Sequence, residues 1–108
     1  AQQGNRLIAV LGDMLELGGY TEAEHRRLAD RCAADGVQLL CLYGAHTLHT
    51  LERAREIGGF EAIHFEDKAV LAQSLRPLLH QGDVVLIKGS RGMHMETIVG
   101  ALMQETGP

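Results

Sequence analysis

The stretch Asp83–Glu96, DVVLIKGSRGMHME, decides how the rest of the chain is read. Val84, Val85, Leu86 and Ile87 form an apolar run without polar alternation. That pattern predicts a strand covered on both faces, as strands of parallel sheets are. The run passes into Lys88-Gly89-Ser90-Arg91-Gly92, and helical spacing resumes from about Met93. Two glycines in the exit turn let the backbone approach a ligand or take up positive φ. A helix starting there offers unpaired N–H groups and a positive dipole end. Lys88 and Arg91 add two cations, with no acid inside the turn. Such a turn suits an anion, and ligands of open α/β sheets sit at the carboxyl ends of the strands. The plainer reading, a glycine needed by any strand–helix turn beside ordinary surface cations, fits the same residues.

Working outward, Arg6–Leu11 (RLIAVL) predicts the first strand, and the loop Gly12–Tyr20 (GDMLELGGY) puts Asp13 and Glu16 directly after it. Thr21 with Glu24 three residues on predicts a capping box and a helix with Leu28, Ala29, Cys32 and Ala33 inward, stopped at Gly36. Val37–Tyr43 (VQLLCLY) predicts a second strand. A helix with Leu48, Leu51, Ala54 and Ile57 on one side follows, ending at Gly58-Gly59. Glu61–Phe65 (EAIHF) alternates and predicts a third strand near an edge. Glu66 or Asp67 caps the next helix, whose inward face is Val70, Leu71, Ser74, Leu75 and Leu78, with Pro77 expected to kink or end it early. The last helix shows Met95, Ile98, Val99, Leu102 and Met103 at helical spacing and is expected to end near Gly107.

Four strands alternating with four helices predict a three-layer, Rossmann-like α/β domain: a mainly parallel sheet with helices on both faces. If the strand order is 3-2-1-4, the loops after strands one and four are neighbours. Asp13, Glu16, Lys88, Ser90 and Arg91 then surround one crevice.

Composition sets outer bounds. A chain of 108 residues with 45% hydrophobic and 22% charged residues predicts one globular domain. The net charge of −4 argues against a nucleic-acid partner, and no apolar run approaches the roughly 20 residues of a membrane span. Ala1–Asn5 is polar, carries no export signal and lacks an initiating Met, so a cut in a longer chain is expected there. Cys32 and Cys41 fall on apolar faces and are expected to be free buried thiols of a cytosolic protein.

Several common chemistries fail on spacing. A dinucleotide fold needs G-x-G-x-x-G after the first strand, whereas GDMLELGG puts an acid where pyrophosphate would sit. A P-loop needs G-K-[ST], and here Lys88 precedes Gly89-Ser90. His46 and His49 are three apart without a third ligand of matching spacing, which falls short of a zinc site. No nucleophilic triad or carboxylate pair can be argued. His25 lies on the inward stripe in the first helical turn, facing the crevice; a satisfied structural histidine and a ligand contact are both open.

Three blocks together, Leu7–Gly18 (LIAVLGDMLELG), Glu22–His25 (EAEH) and Gly82–Glu96 (GDVVLIKGSRGMHME), resemble the C-terminal domain of the Mur ligases. The resemblance covers nearly the whole chain. The GDMLELG and KGSRGM blocks resemble those of the branch that adds D-alanyl-D-alanine to UDP-N-acetylmuramoyl-tripeptide in peptidoglycan precursor synthesis.

The resemblance implies a cytoplasmic ATP- and magnesium-dependent amide ligase of three domains. An acyl phosphate made from the tripeptide and ATP is attacked by the dipeptide amine. The nucleotide P-loop, magnesium ligands and modified lysine of the central domain are missing here, as is the hinge motif expected just before Ala1. A fragment that folds but does not catalyse is therefore implied. Residues 1–108 are expected to form that one domain and to bind substrate through Asp13, Glu16, His25, Lys88, Gly89, Ser90 and Arg91.

Lys88, Ser90 and Arg91 suit the dipeptide carboxylate, or ATP phosphates in a closed state. Asp13 and Glu16 suit its ammonium, or contacts between domains. The alternatives are a free-standing Rossmann-like or flavodoxin-like ligand-binding module, and a protein-interaction domain with an incidental crevice.

Overall fold

A computed structural model describes residues 5–103 of the chain. The strands are β1 (Leu7–Gly12), β2 (Leu39–Tyr43), β3 (Glu61–Phe65) and β4 (Val84–Lys88). The helices are α1 (Thr21–Asp35), α2 (Thr47–Ile57), α3 (Lys68–Leu75) and α4 (Glu96–Met103). All strand pairs are parallel, in the order β3-β2-β1-β4, which meets the condition for the loops after strands one and four to be neighbours.

The pleat sorts each strand into two faces. Ile8, Val10, Leu39 and Cys41 pack with Leu71 and Leu75 of α3 and Ile98 of α4. Ala9, Leu11, Leu40 and Leu42 pack with Ala29 and Cys32 of α1 and Leu51 and Ala54 of α2. The sheet thus has a helix pair on each face, the three-layer Rossmann-like arrangement.

At the amino ends of β1 and β4, Arg6 closes a fork on Asp83 at 3.0 and 2.7 Å and donates to the Leu78 carbonyl at 2.8 Å. Asp67 caps α3, accepting from the N–H of Ala69 at 2.7 Å and of Val70 at 3.4 Å. Pro77 has its expected effect, since α3 stops at Leu75 and passes into a 3-10 turn, Arg76–Leu78.

Other expectations are corrected. The capping box does not form: Thr21 Oγ1 donates to the Gly18 carbonyl at 2.8 Å, because the 3-10 turn Gly18–Tyr20 runs directly into α1. Strand β2 starts at Leu39 rather than Val37, whose N–H is taken by the Cys32 carbonyl at the end of α1. In α2 the inward stripe is Thr47, Thr50, Leu51 and Ala54, and Leu48 is exposed. Two threonines displace it because their hydroxyls find carbonyls, Thr47 on Gly44 and Thr50 on His25, each at 2.7 Å. In α3 the buried positions are Leu71, Ala72 and Leu75, while Val70, Ser74 and Leu78 face outward.

Strand β4 also departs from its reading. Val85 and Ile87 pack on the α3–α4 side, yet Val84 and Leu86 remain 50% and 45% exposed. β4 is an edge strand, and α1 and α2 do not reach over it. The expected helix start at Met93 is replaced by a 3-10 turn, Arg91–Met93, a left-handed His94 (φ 51°), and α4 from Glu96. The expected helix end near Gly107 lies outside the described residues.

Candidate functional site

The β3-β2-β1-β4 order brings together the loops that follow β1 and β4, and Ser90 joins them. Its N–H donates to the Asp13 carbonyl at 3.0 Å, and its Oγ accepts the Leu15 N–H at 2.7 Å. His25 holds the same loop from α1: its Nε2 accepts the Met14 N–H at 3.0 Å, and its Nδ1–H donates to the Thr21 carbonyl at 2.7 Å. Both ring nitrogens of this fully buried side chain are thereby used, which makes it the satisfied structural histidine.

Asp13 is similarly committed. Its carboxylate, 5% exposed, accepts the Thr47 N–H at 3.0 Å at the amino end of α2. Glycine is required at position 44, where φ is +113° and a Cβ would collide with that carboxylate. Asp13 and His25 therefore shape the loop from beneath, while Glu16 stands exposed on it in a left-handed conformation, φ 64°.

Lys88 and Arg91 are exposed, and neither has a carboxylate within 4 Å among the described residues. They line a groove of about 610 Å³ together with Gly89 and Ser90, between apolar walls that include Leu11, Leu28 and Val99. Asp13, Glu16 and His25 do not line it. Glu96 does, and hydrogen bonding to backbone in the first turn of α4, with His94 beside it, holds its carboxyl below the ordinary range. The mouth thus carries two cations and one fixed anion.

The glycines of the exit turn do not take up the positive φ that was one of the two expected uses, and Gly89 has a packing use. Neither Gly89 nor Gly92 has positive φ. A Cβ on Gly89 would lie 2.6 Å from Met95 Cγ, and one on Gly12 2.6 Å from Met95 Sδ. The buried Met95 side chain plugs the gap between the ends of β1 and β4, and both glycines make room for it.

Two supports carried no readable sequence signal. Met95 looks like any inward methionine. Lys68 at the start of α3 sends its Nζ to the carbonyls of Met93 and His94, at 2.8 and 3.1 Å, and lies 5.8 Å from the centroid of the Tyr43 ring. It clamps the 3-10 turn that carries Arg91.

Among the described residues, no group of three candidate metal ligands stands at this mouth. The one group of three candidate ligands among the described residues, Glu22, His49 and Glu52, lies on the outer α1–α2 surface, where Arg26 already pairs with Glu52 at 2.9 Å.

A parallel sheet with two clipped loops at its carboxyl end, and a groove there lined by two cations that pair with no carboxylate among the described residues, defines a Rossmann-like domain with a candidate binding groove. The chain belongs to the Mur ligase family: the model of the family's glutamate ligase domain matches residues 1–91. It is 36% identical over 102 residues to the UDP-N-acetylmuramoyl-tripeptide–D-alanyl-D-alanine ligase of Escherichia coli (strain K12), an alignment covering 93% of this chain and 21% of that protein. The ligase of the same name from Bacillus subtilis (strain 168) is 33% identical over 96 residues, covering 88% and 21% respectively. A crystal structure of MurF from Acinetobacter baumannii superposes with a TM-score of 0.80 at 29% identity, covering 96% of this chain and 23% of that one. The chain spans about a fifth of the length of these relatives.

Proposed function

We propose that this chain is the acceptor-handling C-terminal domain of a cytoplasmic ligase that joins D-alanyl-D-alanine to UDP-N-acetylmuramoyl-tripeptide, using ATP and magnesium. The relatives bearing that activity in their names support the reaction. The observation that carries the role is the groove mouth, where Lys88 and Arg91, with no carboxylate partner among the described residues, stand beside aliphatic walls. A small dipeptide with two methyl groups and a carboxylate matches that pairing of cations and apolar surface better than a triphosphate does.

In this reading Lys88 and Arg91 hold the acceptor carboxylate, and Gly89 and Ser90 set the floor of the turn. Glu16, exposed on the neighbouring loop outside the groove lining, is assigned to the ammonium only as it enters, before it loses its proton and attacks. Asp13 and His25 act at one remove by fixing the loop. Magnesium is assigned to the rest of the protein, as the resemblance implies; among the described residues no group of three candidate ligands stands at this mouth. ATP, which activates the tripeptide carboxylate, is likewise assigned there.

The test is an assay of the full-length protein with UDP-N-acetylmuramoyl-tripeptide, ATP and a panel of acceptors. ATP-dependent amide formation with D-alanyl-D-alanine is expected, and residues 1–108 alone should show none. Preference for a different acceptor would reject the assignment.

A further inference from the structure

The strand order reverses between β1 and β4: the chain passes from β1 to β2 and β3 on one side and then places β4 on the other. In open parallel sheets the ligand crevice lies at such a reversal, outside the carboxyl ends of the two strands. Here a single side chain fills the gap between those ends. Met95 stands between the left-handed His94 and Glu96, the first residue of α4, and its carbonyl accepts the Ile98 N–H at 2.9 Å. Its thioether reaches from one strand end to the other. A Cβ at Gly12, the last residue of β1, would meet Met95 Sδ at 2.6 Å, and a Cβ at Gly89, just past β4, would meet Met95 Cγ at 2.6 Å. Both strand ends thus leave their space to one unbranched side chain. That side chain is 5% exposed and lines the same groove as Lys88 and Arg91.

We propose that Met95 is a specificity-determining residue of the candidate site, setting the size of the acceptor side chain that the groove admits. The inference rests on the reading of the groove as the acceptor site. Lys88 and Arg91 flank Gly89 in the exit turn, so a carboxylate held between them brings the acceptor's C-terminal residue next to Gly89. Met95 packs against Gly89 and closes the space there. A methyl group is accommodated beside the thioether, whereas a branched four-carbon side chain needs the volume that the thioether occupies. Methionine makes a soft apolar floor with no strong hydrogen-bonding group. Shortening it therefore deepens the groove at the strand ends without unpairing a polar partner.

The test compares kcat/KM of the full-length protein for D-alanyl-D-alanine and D-alanyl-D-leucine at saturating ATP and UDP-N-acetylmuramoyl-tripeptide. Wild type, Met95→Ala and Met95→Leu are measured side by side. The wild type should favour D-alanyl-D-alanine, and the reverse preference overturns the proposal. Met95→Ala should shift the ratio toward the leucyl acceptor roughly 10-fold or more, the scale of added methylenes in an apolar pocket. Met95→Leu conserves volume and should keep the ratio close to that of the wild type. A merely structural role for Met95 would lower both values together, and that unshifted ratio overturns the inference. Should Met95→Ala not fold, Met95→Val removes less of the side chain and is judged by the same ratio. A wild type that ligates neither dipeptide rejects the acceptor reading and this inference with it. An active wild type whose variants keep its ratio rejects this inference alone.

Discussion

Met14 donates its backbone N–H to Nε2 of His25 at 3.0 Å, which fixes the hydrogen of the neutral ring on Nδ1, facing the Thr21 carbonyl. One side chain from α1 thereby determines the path of the loop that follows β1. Replacing His25 with Ala would leave a cavity and free the Met14 amide. The expected loss is about 2–4 kcal/mol of stability, read by urea denaturation. Nitrogen-15 NMR of the ring should report the Nδ1–H tautomer.

The Arg6–Asp83 fork makes an acid-side prediction. Arg6, together with the His80 backbone N–H, pulls the Asp83 carboxyl down from 3.8 to about 2. The folded state therefore binds the proton less readily than the unfolded one. The stabilisation is fully present above about pH 4 and is lost as pH falls through about 2. Asp83→Asn should lower the urea midpoint at pH 6 and flatten its decline between pH 4 and 2. An unchanged slope would exclude the fork as its source.

Burial pushes the thiols of Cys32 and Cys41 up to about 11, with Asp35 and Glu61 adding smaller upward pushes. Both stay protonated near neutrality and should resist a thiol reagent such as Ellman's in the native state, because the thiolate is the reactive form. Reaction should become complete in denaturant.

Lys68 reaches the carbonyls of Met93 and His94 at 2.8 and 3.1 Å, so Lys68→Met should loosen the turn carrying Arg91. The expected cost is about 1 kcal/mol. Amides of Arg91–His94 should exchange several-fold faster, while those of β1 keep their rates. Lys68→Arg should restore much of the protection.

The four parallel strands were legible because four apolar runs alternate with helical spacing, but their order was not, since contacts between distant strands set it. The pairing of the loops after β1 and β4 depends on that order and was therefore legible only as a conditional. The division of labour within the site was not legible. Nothing local distinguishes Asp13, folded beneath its loop onto Thr47, from Glu16, exposed three residues later. The outward turn of Leu48 depends on carbonyls of Gly44 and His25 that accept threonine hydroxyls, a tertiary fact that hydropathy misses. The open face of β4 was misread for a related reason. Its composition suits a strand covered on both faces, whereas Val84 and Leu86 are half exposed on the side that α1 and α2 do not reach.

The central claim is that Lys88 and Arg91 hold the acceptor's carboxylate. Steady-state kinetics of full-length Lys88→Ala and Arg91→Ala, with D-alanyl-D-alanine varied at saturating ATP and tripeptide, tests it most directly. Loss of a charge-assisted hydrogen bond should raise the acceptor KM roughly 10- to 100-fold with kcat much less affected, while KM for ATP stays unchanged. An unchanged acceptor KM accompanied by a fall in kcat would contradict the account and place these cations on phosphate instead.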